Sequence, residues 1–186
     1  MPNNVLYTVG TGILVSDSSY SPGANTALGT YQAANDIDVV NLAAAAARQS
    51  TKIDFLATRA PLYDVRMTFE LATDPAAAGS IALYMSPSHS GTAAVGNMGL
   101  CTGADGAYAA TGGYTLAELL AHLHFIGTVP TAIQNDADGV QVAHVGLFSP
   151  TARYGCLVVV NNCSVAFHSD SVEFAVLFEP IIPQMQ

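Results

Sequence analysis

The sequence predicts an all-β fold: an antiparallel β-sandwich of the jelly-roll type, with one short helix near residues 115–121. Three observations carry that expectation. Strict apolar–polar alternation recurs along the chain, most clearly where Tyr63, Val65, Met67, Phe69 and Leu71 alternate with Asp64, Arg66, Thr68 and Glu70, the period of a strand with one buried and one wet face. About eight or more such segments follow one another at hairpin spacing, the profile of a sandwich or jelly roll. Almost no stretch has helical periodicity, so little is available to cover a parallel sheet.

Taken in order, Val5 to Val15 is apolar around a Gly10-Thr11-Gly12 break and reads as two short strands or one bulged strand. The first nine residues are either an ordinary first strand or an arm that lies across a neighbour. Ser16 to Thr30 is a loop rich in Ser, Gly and Pro. Asp36 to Arg48 mixes Val39, Val40 and Leu42, which suit a strand, with Ala43 to Ala47, which suit a helix; a strand running into a small-residue turn is expected. Lys52 to Ala57 alternates again, with Ile53 and Phe55 inward.

Tyr63 to Met85 reads as one long antiparallel hairpin. Asp74-Pro75 and Gly79 supply the turn, and Ile81, Leu83 and Met85 repeat the alternation. Ser86 to Gly113 has the composition of a long loop, longer than compact domains usually leave unstructured, and is the place expected to hold an interaction surface. Thr115-Leu116-Ala117-Glu118 has capping-box spacing, with Leu116, Leu119, Leu120 and Leu123 on one side, which marks the helix. An extended segment follows from about His122 to Val129, and then a strand from Val140 to Phe148. Tyr154 to His168 reads as a hairpin turning at Asn161-Asn162, pairing Val160 with Cys163 and Cys156 with Phe167. Val172, Phe174, Val176 and Phe178 alternate in a last strand.

A chain of 186 residues suits a single domain spanning 1–186. Charged residues make up 10%, against roughly 25% in an average soluble domain, and the mean hydropathy is +0.36. The surface is therefore short of charge, either because copies or partners cover it or because it is built of Ser, Thr, Asn, Gly and Ala. The net charge of -9 reflects few bases, Arg48, Lys52, Arg59, Arg66 and Arg153, so no basic stripe offers a phosphate-binding face and nucleic acid is not expected as a partner. No apolar run is long enough to span a bilayer and no signal peptide is read at the start, so a chain made and assembled in a cytoplasm is expected. The odd set Cys101, Cys156 and Cys163 is expected to be buried and free, since the predicted register sets Cys156 and Cys163 several rungs apart.

Chemistry is sparse. His122, His124 and His144 are of the type that zinc takes, but nothing in the sequence brings His144 to the other two. Gln134 to Gly139 looks like the centre of a calcium loop whose two ends fail, with Gln134 and Val145 at the positions that need acids. Asp36 and Asp38 read as loop residues. Ser86, Ser88 and His89 lie close together without a nucleophile elbow. Glu70, Glu173 and Glu179 read as outward-facing strand acids rather than a glycosidase pair. No catalytic, cofactor or metal residue is therefore assigned, and no enzyme is expected.

Several phrases carry a resemblance. The run from Ile53 through Tyr63-Asp64-Val65-Arg66, then Leu83-Tyr84-Met85-Ser86-Pro87-Ser88, Phe148-Ser149-Pro150-Thr151-Ala152-Arg153-Tyr154-Gly155, Val158-Val159-Val160-Asn161-Asn162 and Ser171-Val172-Glu173-Phe174 together resemble virion structural proteins of tailed phages. The likeness spans about two-thirds of the chain and carries over no functional residue. It implies a jelly-roll protein of the particle: a decoration or cement protein on the outer capsid, a homotrimer bound to the lattice of the major capsid protein and assembled in the host cytoplasm. From another class, a receptor- or glycan-binding jelly roll of a tail fibre would use the Ser86–Gly113 loop, with Tyr108 and Tyr114 as its aromatic candidates. A small β-sandwich enzyme ranks third.

Overall fold

The computed structural model describes residues 5–56, 60–132 and 139–185, with the side chains of 5–9 and 184–185 outside the description. Two antiparallel sheets face each other. In chain order the strands are β1 (Val5–Val9), β2 (Ile13–Ser16), β3 (Ala47–Asp54), β4 (Leu62–Phe69), β5 (Ser80–Ser88), β6 (Gly106–Ala107), β7 (His124–Pro130), β8 (Gln141–Phe148), β9 (Tyr154–Asn161) and β10 (Ala175–Met185), with one helix, α1 (Leu116–Leu120). The first sheet runs β1-β10-β4-β8, with β2 beside β10 on the same edge as β1; the second runs β6-β3-β9-β5-β7.

The pairings are nested. β2 pairs β10, β3 pairs β9, β4 pairs β8 and β5 pairs β7. That is one long antiparallel ribbon rolled up so that its successive rungs fall in alternate sheets, the jelly-roll winding. The break at Gly10–Gly12 produces two strands, and β1 and β2 occupy one edge of β10 in succession.

The nesting corrects two expected hairpins. β4 and β5 follow each other in sequence but lie in different sheets, so Tyr63–Phe69 and Ile81–Met85 meet across the core rather than side by side. β9 likewise pairs β3 and β5, not the segment after Asn161. At that point Asn161 turns the chain inward. Its side-chain amide donates to the carbonyls of Leu42, Ala43 and Val165, and its carbonyl oxygen accepts from the Cys163 amide. No strand forms between Asp36 and Ala46. Turns occupy that stretch: Ile37, Val39 and Leu42 still reach the core, but Asn41 and Ala45 at φ 52° and 59° interrupt the extended chain.

Alternation fixes the inner faces. Tyr63, Val65, Met67 and Phe69 from β4 meet Ile81, Leu83 and Met85 from β5, with Leu157, Val159, Val176 and Phe178 between them, all buried. Aromatic groups close the two ends. Phe55 packs at 5.5–5.8 Å from Tyr63, Phe148 and Phe178, and Phe167 lies 6.2 Å from Phe69 and 5.7 Å from Phe174. Such tilted and edge-on pairs each add about 0.5–1.5 kcal/mol beyond their burial.

The second sheet is also covered on its outer face. Cys156, Val158, Val160, Ala47 and Ala82 point away from the sandwich yet are buried beneath Cys101, Tyr108, Leu119 and Leu123. Residues 89–123, apart from the two-residue edge strand β6, are thus a third layer rather than an open loop. The helix forms where its capping box predicts: the Thr115 hydroxyl accepts from the Glu118 amide and the Glu118 carboxylate accepts from the Thr115 amide. A shorter lid over the first sheet packs Tyr20 and Leu28 on Leu14, Ala175 and Leu177.

The sandwich is pinched where β7 and β8 meet. Both strands carry an extra residue there, since the register slips at Ile126 and at Val145, and a bulge bends each strand toward the other. Gly127 permits the contact, because a Cβ on it would stand 2.5 Å from the Val145 carbonyl oxygen. Gly127→Ala should therefore cost about 1–3 kcal/mol, the usual range for overpacking, whereas Gly106→Ala, with nothing within 4 Å of the added carbon, should be near neutral. Urea unfolding of the two variants checks the contrast.

Candidate functional site

Two features stand out: the exposed surface of the third layer, and a partly buried cluster of acids with one histidine.

The third layer is held by unusual bonds. Lys52 rises from β3 and its ammonium donates to Ser88 Oγ at 3.0 Å and to the carbonyls of Ser90, Thr92 and Val95 at 2.9, 2.6 and 2.8 Å. Loss of hydration lowers its pKa, and carbonyl dipoles rather than a carboxylate surround the charge. Asn97 ties the same turn to the Ala93 and Cys101 carbonyls. Ser86 Oγ donates to the Met98 carbonyl and the Tyr108 hydroxyl to that of Gly99. Gly99 itself has φ 60°, and a Cβ there would lie 2.5 Å from Leu123 and 2.8 Å from the Tyr108 hydroxyl.

On this anchored layer large apolar side chains face outward. Met98, Leu100 and Tyr114 are 53%, 51% and 47% exposed. Leu100 and Tyr114 both border Gly112, and Tyr114 lies against the His122 ring at 6.1 Å. Leu100 has φ 59°, a left-handed backbone that costs a residue with a Cβ roughly 1–2 kcal/mol. The strain holds an exposed leucine that packs on little of its own chain. Of the two aromatic candidates in or beside the Ser86–Gly113 stretch, Tyr108 is buried and Tyr114 is presented.

The three predicted histidines do not come together. His122 stands beside Tyr114, His124 packs on Phe148 at 5.2 Å, and His144 Nε2 lies 2.7 Å from Asp64 Oδ1. Asp64 and Glu179 in turn hold Arg66, at 2.8 and 3.1 Å. Ser86 and Ser88 are buried hydroxyls bonded to the third layer, while His89 is exposed. Asp36 and Asp38 are loop residues as expected, Asp38 receiving the Val40 amide and the Ser171 hydroxyl. The calcium-like stretch from Gln134 to Asp138 lies outside the described residues. All three cysteines are free and buried. Burial pushes the Cys101 thiol up to about 12 and that of Cys156 up to about 11, so both stay protonated and unreactive at neutral pH.

Among the described residues, the acids and histidines gather as a possible ligand set at Glu70, His168 and Asp170. Glu70, whose place in the alternation predicts an outward-facing acid, is only 8% exposed. It follows β4 directly and is drawn beneath the segment that precedes β10. Leu71 bridges Phe167, the His168 amide donates to the Glu70 carbonyl at 3.1 Å, and the Ala72 amide to that of Ala166 at 3.0 Å. His168 Nδ1 then stands 3.3 Å from Asp170 Oδ1 and 3.8 Å from Glu70 Oε2. Neither approach has hydrogen-bonding alignment, and Nδ1 is buried without a bonded partner. Burial first, and then the neighbouring Glu173 and Asp170 carboxylates against the opposing pull of His168, raise the Glu70 pKa. At His168 burial pulls the other way, but Asp170, Glu70 and Glu173 together outweigh it and the pKa is raised.

An open groove of about 420 Å³ lies between residues 40–48 and 107–116, lined mainly by alanines; the guanidinium of Arg48 at its margin is held by Asp105. Compared with protein-family models, with curated proteins and with solved structures, the chain matches none.

Two outcomes follow from these geometries. Lys52→Met leaves Ser90, Thr92 and Val95 without their shared donor, so hydrogen exchange of residues 89–97 should quicken and stability fall by about 1–3 kcal/mol. The shifts at Glu70 and His168 have the same sign. Their contribution is complete below the unfolded values, about 4.3 and 6.5, and is lost as pH rises through the higher folded values. In a chelating buffer the melting temperature should fall as pH rises across this range, and His168→Gln should flatten the part above pH 6.5.

Proposed function

We propose that the protein is a structural component of a virus particle, a decoration or cement protein that binds the assembled capsid as a homotrimer and performs no catalysis. The observation that carries this reading is the outward-facing set Met98, Leu100 and Tyr114, held on a layer anchored by the Lys52 cage and the capping box. Exposed apolar side chains on a rigid support are what a protein-binding face needs: the contact area is apolar, and little chain entropy remains to be lost on docking. The strained backbone at Leu100 points the same way, since such strain gathers where a side chain is displayed for use.

The composition agrees. A surface with few charges meets another protein with little desolvation cost. A protein that binds the closed lattice and not its free subunits stabilises the shell by mass action, and this requires area and fit rather than a reactive group. The resemblance of its strand phrases to virion proteins of tailed phages supports an outer-capsid partner, the major capsid protein. The jelly-roll winding suits this role, being common in capsid proteins.

Light scattering and co-sedimentation with cognate empty capsids test the reading. A trimer that pellets with shells and raises their melting temperature is the expected result. Met98→Asp combined with Tyr114→Asp should abolish pelleting, while each change alters the protein's own stability by no more than about 0.5 kcal/mol, as exposed positions do. A monomer that ignores shells but is retained on a glycan array overturns the proposal in favour of a receptor-binding module.

A further inference from the structure

We propose that Glu70 Oε2, His168 Nδ1 and Asp170 Oδ1 form a binding site for one divalent transition-metal ion, zinc in preference to manganese. The three ligand atoms already lie within 4.8 Å of one another. Tetrahedral zinc with bonds of about 2.0–2.1 Å sets its ligands about 3.3–3.4 Å apart; the His168–Asp170 separation is 3.3 Å and the His168–Glu70 separation 3.8 Å. Asp170, half exposed at 50%, has only the long 3.4 Å bond from the Val172 amide on its Oδ1, which a small rotation that closes the set would give up.

Two further observations point to a cation. The Glu70 side chain is more than nine-tenths buried, and the His168 imidazole nitrogen faces it at 3.8 Å, beyond hydrogen-bond range. His168 Nδ1, covered and without a bonded partner, is aimed at the same point. One imidazole with two carboxylates is a mixed donor set that suits zinc or manganese, whereas calcium and magnesium take oxygen alone.

The backbone holds the ligands before any ion arrives. The His168 amide bonds the Glu70 carbonyl, and the His168 carbonyl accepts from Asn41 at 3.0 Å. The turn that follows Asp170 is fixed by the Phe174 amide on the Ser171 carbonyl. An ion there would join the end of β4 to the approach to β10, tying together neighbouring strands of the first sheet.

The test is calorimetric titration of the full chain, freed of metal by chelator, with ZnCl2, MnCl2, CaCl2 and MgCl2 in separate runs, alongside melting curves. One zinc per chain, weaker manganese, no response to calcium or magnesium, and a melting temperature raised with saturation at one equivalent are expected. Asp170→Asn, at a half-exposed side chain that leaves the fold intact, and His168→Gln should each weaken zinc roughly ten-fold or more. The cobalt-substituted protein should lack a thiolate charge-transfer band, which excludes the cysteines as ligands. No zinc binding, zinc binding unchanged in both variants, or an equal response to calcium would each overturn the assignment.

Discussion

Strand β9 is buried on both faces, and the rest of the molecule is arranged around that fact. From Gly155 to Asn161 every residue is buried, with Leu157 and Val159 facing the sandwich core and Cys156, Val158 and Val160 facing away from it. A strand of this kind cannot edge a two-layer sandwich with a wet exterior, because its outer side chains would forfeit about 1.5–3 kcal/mol each in water. It must lie inside its sheet and be roofed. Pairing with β3 on one side and β5 on the other meets the first demand, and residues 89–123 meet the second.

The roof has little regular structure of its own, so its backbone bonds must come from elsewhere. Lys52 supplies a cation where three carbonyls converge, Asn97 bridges two more, and the Tyr108 and Ser86 hydroxyls reach back to the turn at Met98–Leu100. These side chains do for the layer what a ladder does for a sheet. Because the roof's inner side is packed on Val158, Val160 and Ala82, the large residues left on its outer side cannot collapse inward. The mean hydropathy of +0.36 has the same origin: both sides of the second sheet, and the inner side of the roof, are apolar.

Strand positions were legible in the sequence because alternation reports burial directly. Which strands pair was not. Tyr63–Phe69 and Ile81–Met85 have the pattern of a hairpin, and neighbours in sequence pair about two-thirds of the time, but alternation names only the face that is buried. What distinguishes the jelly roll is on the other face. Ala82, Tyr84 and Ser86 are small or amphipathic and fit beneath a roof, whereas Asp64 and Arg66 belong to an exterior sheet, where they pair with His144 and Glu179. The capping box at Thr115 was legible for the opposite reason: its two bonds span three residues and owe nothing to the rest of the fold. Tyr108 misled because an aromatic residue in a Gly- and Ala-rich loop is a binding platform when exposed and a roof anchor when buried, and only the pairing of the sheets decides which.

The Glu70 cluster lies at the far limit of legibility and shows what nested pairing does chemically. Glu70 and His168 stand far apart in sequence, and no local pattern relates them. They meet because β4 and β10 are adjacent in one sheet while β9, which leads toward His168, belongs to the other, so the chain must cross the end of the sandwich between them. The crossing is anchored from below by Phe167 on Phe69 and Phe174, and the Leu71–Phe167 bridge then sets the next residue, His168, over Glu70. Near Phe55 the Arg153–Asp54 pair is partly exposed and neutralised on its own side chains. The Glu70 group has three carboxylates and a single imidazole, and so carries an excess of negative charge over buried aromatic rings. The nested pairing thus gathers, at one end of the first sheet, acids that no local stretch of the sequence brings together.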